Sequence, residues 1–170
     1  EWMHADCLAD YYHVDVFSEE HWKILENYFK EYVKRGCNMM LTPLFTSPLD
    51  TAVGLERTTT QLIKVEVVKG EYRFDFSELK RWIDLCKKCG IEYYEMSHLF
   101  SQWGAKYAPK VVAEVDGKEE KIFGWHTPAV GEYTRFLKAF LPQLIEKLKE
   151  WNIDQVTYFH ISDEPREEHL

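Results

Sequence analysis

Two acids stand side by side late in this 170-residue chain, in Tyr158-Phe159-His160-Ile161-Ser162-Asp163-Glu164-Pro165. An apolar run passes directly into the pair, and Pro165 then ends regular strand pairing. Side chains on a strand alternate between faces, so Phe159 and Ile161 share one face while His160, Ser162 and Glu164 share the other. Acids held at a strand end can carry general acid–base chemistry. The same two residues also make an ordinary solvated turn, and spacing alone does not separate these readings. His4 and Asp6 alternate within Trp2 to Leu8, and His98 is followed by Phe100, Gln102, Trp103 and Gly104. Each alone reads as a packed or surface residue; together they would set His, Asp, Glu and Trp around one mouth. No spacing suited to zinc accompanies them, and there is no Gly-x-Ser-x-Gly elbow for a serine nucleophile. Neither a metal nor a cofactor is expected.

The elements that must position these residues alternate along the chain. Trp2 to Leu8 reads as a short strand. Ser18 is a good N-cap, with Glu19 and Glu20 placed to meet the helix dipole. Trp22, Leu25, Phe29, Tyr32 and Val33 then recur at helical spacing up to Gly36. Asn38 to Phe45 is a buried strand around Met39-Met40-Leu41. A second helix starts near Ser77, with Leu79, Trp82, Ile83 and Cys86 on one face, and stops at Gly90. Ile91 to Leu99 is the third strand. Glu132 to Trp151 is the third helix, with Pro142 inside it as an expected kink. Gln155 to Ser162 is the fourth strand.

Strand and helix in strict alternation are the mark of an α/β fold with parallel strands. A doubly wound sheet and a (β/α)8 barrel both begin this way. No Gly-rich phosphate loop follows the first strand, and the extra sequence lies in the connections after strands, which build the active face of a barrel. The expectation is a partial (β/α)8 TIM barrel, residues 1–170 being its N-terminal half, with about four parallel strands and three helices. The connections after strands two and three run to roughly 35 residues, a length usually tied to function. Each carries a hairpin signal: Gln61 to Val68 and Glu71 to Phe76 around Lys69-Gly70, then Val111 to Val115 and Glu119 to Phe123 around Asp116-Gly117.

Composition narrows the partners. A net charge of −8 argues against nucleic acid, which needs a basic surface. No apolar run is long enough for a membrane span. Aromatic residues make up 15% of the chain, which suits stacking on sugar rings as well as core packing. Cys86 and Cys89 have redox spacing, but no second pair accompanies them, and at the end of a helix they simply share an inward face. Glu1-Trp2-Met3-His4 lacks the basic start and apolar stretch of a signal peptide. The expected compartment is the cytoplasm. The chain opens without an initiator Met and reads as a piece of a longer one.

Four segments together resemble glycoside hydrolase family 123 over nearly the whole chain: Trp2-Met3-His4-Ala5-Asp6-Cys7-Leu8-Ala9-Asp10-Tyr11-Tyr12, Leu41-Thr42-Pro43-Leu44-Phe45, His98-Leu99-Phe100-Ser101-Gln102-Trp103-Gly104-Ala105, and His160-Ile161-Ser162-Asp163-Glu164-Pro165. The last two are the most specific. The resemblance implies a barrel, a glycan substrate ending in β-linked N-acetylhexosamine, N-acetylgalactosamine above all, and substrate-assisted retaining catalysis. That mechanism is similar to the one used by the family 20 hexosaminidases. It implies Glu164 as general acid–base and Asp163 as the residue orienting the acetamido group. It further implies Asp6, His98, Trp103 and His160 as the sugar pocket. Only half of such a barrel is spanned, so the fragment alone is expected to be inactive and to self-associate through its open face. The alternative is a non-catalytic carbohydrate-binding domain derived from such an enzyme.

Overall fold

A computed structural model of the chain describes residues 3–48, 52, 54–102 and 104–161. Its centre is a three-stranded parallel sheet in the order β1 (Met39–Thr42), β4 (Tyr93–Met96), β7 (Thr157–Phe159). Register is tight: Leu41 pairs with Glu95, and Glu95 with Tyr158. Helix α2 (Glu19–Lys34) precedes β1, α3 (Ser77–Cys89) precedes β4, and α4 (Glu132–Glu150) precedes β7, so each sheet strand follows a helix.

The helices form where local signals converge. Ser18 Oγ accepts the His21 amide at 3.2 Å and caps α2. Gly90 closes α3 in the left-handed conformation at φ 93°, which other residues adopt only with strain. Helices α2 and α3 pack through Trp22, Leu25 and Phe29 against Leu79, Trp82 and Ile83. The Phe29 and Trp82 rings meet edge to face at 5.0 Å. Cys86 is fully buried in this core, where burial pushes its thiol well up, so it serves packing. Pro142 lies within α4 and withholds an amide from the Lys138 carbonyl, yet the helix runs on to Glu150.

The predicted first strand is not formed. Residues Ala5–Tyr12 are helix α1, preceded by an extended His4. Ala5, Leu8 and Ala9 recur at helical spacing and are all buried, and Asp6 adds an acid to the first turn. That burial outweighs the short alternation of His4 and Asp6. Among the described residues the main sheet therefore has three parallel strands and the chain four α-helices, rather than four and three. The last strand is also shorter than expected, because Asp154–Val156 form a 3-10 turn before it.

Both hairpins are present, β2 (Lys64–Val68) with β3 (Glu71–Asp75) and β5 (Val111–Val115) with β6 (Lys118–Phe123). At each turn both central residues have positive φ, Lys69-Gly70 at 52° and 80°, Asp116-Gly117 at 49° and 77°. The hairpins then join: β2 pairs in parallel with β5, making one sheet in the order β3-β2-β5-β6. Where β2 and β5 diverge, the Gln61 side chain bridges them, donating to the Ile63 and Val112 carbonyls at 2.8 Å and accepting the Val112 amide at 3.0 Å. An aromatic cluster locks this sheet to α4, with Phe136 within 5.5 Å of the Phe45, Tyr72, Phe74 and Phe123 rings. No helix among the described residues is long and apolar enough to cross a membrane.

Candidate active site

The predicted site residues divide into three groups. Asp163, Glu164 and Trp103 lie outside the described residues. His98 and His160 come together past the carboxyl ends of β4 and β7. Asp6 lies on α1, engaged by a basic partner.

His160 is the first residue beyond β7. Alternation carries it to the face that Tyr158 and, through register, Glu95 occupy. Glu95 Oε1 sits 2.8 Å from His160 Nδ1, with the carboxylate side chain only 16% exposed. His98 would lie on the opposite face from Glu95 if β4 continued, but β4 ends at Met96. Ser97 turns aside there. Its Oγ accepts the Leu44 amide at 3.0 Å and donates to the Phe45 carbonyl at 3.3 Å. His98 thereby swings over His160, with ring centroids 3.8 Å apart. It is fully buried, and burial first, then the neighbouring His160 charge, push its pKa down to about 4. Two imidazoles this close disfavour carrying charge together. The loop is held from α4, where the buried Tyr133 hydroxyl donates to the Leu99 carbonyl at 2.5 Å.

Asp6 occupies the first turn of α1 instead of a strand. Arg57 grips it at two points, Nε to Oδ2 at 2.6 Å and Nη2 to Oδ1 at 3.1 Å. Both side chains are about nine-tenths buried, at 8% and 10% exposure. Arg57 belongs to the connection between β1 and β2, and Lys110 donates to its carbonyl at 3.2 Å from the connection after β4. Helix α1 is anchored from below by His21, whose Nδ1 accepts the Phe17 amide at 2.9 Å. That leaves Nε2 protonated to donate to the Ala5 carbonyl at 3.0 Å. A cavity of about 20 Å³ lined by His4, Asp6, Arg57 and Ser97 lies alongside, with room for about one water molecule. His4 is close enough to His98 to depress its pKa further, so the Asp6 and His98 regions adjoin.

Glu95, Arg57 and Tyr133 were missed in the sequence. Glu95 had a signal: an acid in an otherwise apolar or aromatic strand, Tyr93-Tyr94-Glu95-Met96. Arg57 and Tyr133 had none, since their roles depend on which distant segment the fold brings to them.

A parallel sheet with two imidazoles past its strand ends and a carboxylate of β4 against one of them, and long connections rising from the same ends, defines an α/β domain of the kind that carries sites on that edge. The chain belongs to glycoside hydrolase family 123: the model of that family's catalytic domain matches residues 2–170. The fold is similar to that of a family 123 glycoside hydrolase from Clostridium perfringens that acts in glycolipid glycan hydrolysis. The TM-score is 0.73 at 22% identity, covering 99% of this chain and 30% of that one. At that identity the likeness speaks for the fold. The chain thus spans under a third of the solved relative. No curated protein matches it.

Proposed function

We propose that residues 1–170 are the N-terminal half of a (β/α)8 catalytic domain that removes terminal β-linked N-acetylhexosamine, N-acetylgalactosamine by preference, from a glycan. The observation that carries this reading is the sequence run His160-Ile161-Ser162-Asp163-Glu164, which follows β7 in the chain inside a family 123 match spanning almost the whole chain. The chemistry needs no protein nucleophile. The acetamido oxygen of the substrate attacks the anomeric carbon, the glycosidic bond breaks, and Glu164 gives its proton to the departing oxygen. Asp163 holds the acetamido N–H and faces the positive charge of the oxazolinium that forms. Glu164, now a carboxylate, takes a proton from water as the water's oxygen bonds to the anomeric carbon and the ring reopens. Two inversions give net retention.

His98, Trp103 and His160 are the proposed pocket residues, and Asp6 contributes by holding Arg57 at the pocket's rim. The remaining barrel strands would cover Tyr158, Phe159 and Ile161, which are 50%, 37% and 56% exposed. The 170 residues alone are therefore proposed to be inactive. The test is hydrolysis by the full-length protein of an aryl N-acetyl-β-galactosaminide beside its 2-hydroxyl counterpart. The acetamido substrate should turn over and the hydroxyl one hardly at all; equal rates would exclude substrate assistance.

A further inference from the structure

We propose that Glu95 is a positioning residue for this reaction: its carboxylate keeps a proton on His160 Nδ1 and so dictates what His160 Nε2 presents to the site. The inference rests on the reading of the site given above and adds a residue to it. Two observations and one rule of hydrogen bonding carry it. Glu95 Oε1 lies 2.8 Å from His160 Nδ1, within hydrogen-bond range. An ionised carboxylate can only accept, so the imidazole nitrogen facing it must carry hydrogen. And Glu95 is set in the middle of β4, between Leu41 of β1 and Tyr158 of β7 in register, where its backbone is held on both sides.

The consequence follows from the ring itself. With Nδ1 protonated, a neutral His160 has its lone pair on Nε2, on the far side from Glu95. The tautomer that free imidazole side chains favour in water would place the hydrogen on Nε2 instead. Glu95 thus reverses the default, and His98 packs with its ring centroid 3.8 Å from that of His160, the planes tilted by 35°. His160 precedes Asp163 and Glu164 by three and four residues in the sequence.

Two measurements test this separately. In the 170-residue protein, nitrogen-15 NMR of histidine side chains at pH 8, with His160 assigned from its loss in H160N, should show Nδ1 protonated in the wild type. In E95Q, whose amide can either donate or accept, that single protonation pattern should be lost. A His160 found with Nδ1 bare in the wild type overturns the proposal. In the full-length enzyme, E95Q should lower kcat roughly 10- to 100-fold, the scale seen when a partner orienting a functional histidine is removed, with KM changed less than about threefold. E95D, which keeps the charge, should recover part of the loss. Equal losses in E95Q and E95D, or an unchanged kcat in E95Q, overturn the positioning role. A wild type inactive on every aryl N-acetylhexosaminide defeats the glycosidase reading, and with it any role of Glu95 in that reaction. The NMR result still decides whether Glu95 sets the tautomer.

Discussion

His98 and His160 lie ring against ring, their planes 35° apart and their centroids separated by 3.8 Å, one fully buried and the other held by Glu95. The burial of His98, reinforced by this contact, makes the fold acid-sensitive in a defined window. His98 titrates at about 4 when folded, against about 6.5 for an unperturbed histidine, so the unfolded chain binds the proton first. The contribution of this residue should be level from about pH 7.5 to 8 and fall as pH drops through 6.5 towards 4, by about 2–3 kcal/mol. The buried His21 is depressed by the same cause, so it adds to the fall. Glu26, lowered to about 2 first by its hydrogen bond to Lys30, gives up its contribution only below its unfolded value of about 4.5, outside the window of the histidines. Urea unfolding from pH 8 to 4.5 checks this, with a shallower slope expected for H98Q; a flat wild-type profile would refute it.

The Asp6–Arg57 pair should behave as a buried ion pair. Asp6→Asn leaves the guanidinium without its counter-charge and should cost about 3–5 kcal/mol. Asp6→Leu with Arg57→Met should cost clearly less, because no charge is left stranded. A double-mutant cycle in chemical denaturation reads the coupling. Additive losses would mean the pair is not coupled.

The proposed acids should separate by substrate. In the full-length enzyme Glu164→Gln should lose roughly 10²–10⁴-fold on substrates with poor leaving groups and less on an activated aryl glycoside, since only the former needs the proton. Asp163→Asn should impair both alike, and should bind a thiazoline mimic of the intermediate poorly where the wild type binds it tightly. Full activity in both variants would overturn the assignment.

Strand β7 is an edge of the parallel sheet among the described residues, with its Tyr158 and Phe159, and Ile161 just past its end, exposed. Apolar surface at an unpaired edge promotes association. The 170-residue protein should form dimers or larger species by light scattering at high concentration, and Phe159→Lys should shift it towards monomer. A monomeric wild type under those conditions would count against this.

Local signals account for what was legible in the sequence. Ser18, Gly90 and the apolar periodicity marked the helices, and Lys69-Gly70 and Asp116-Gly117 marked the turns, because caps and tight turns are satisfied within a few residues. His98 and His160 were likewise visible as polar groups at the ends of apolar strands. Trp2 to Leu8 was misread because a window that short fits alternation; the helical repeat shows only when Ala5, Leu8 and Ala9 are read together with the residues up to Tyr12. The pairing of β2 with β5 left no local trace, since it depends on two distant connections meeting. Arg57 was hidden for the same reason: its partner Asp6 lies on another element, and nothing around residue 57 announces it.

The joining of the two hairpins has a consequence for descent. Connections on the active face of such a domain ordinarily diverge one at a time, each free to lengthen, shrink or be exchanged between relatives. Here Gln61 serves the Val112 backbone, Glu66 sits beside Glu114, and Thr46 bridges Lys110. A recombinant that acquired one hairpin from a relative would strand the other's edge and the Gln61 amide with it. The two insertions therefore act as one structural unit, and exchanging either hairpin alone is expected to destabilise the other.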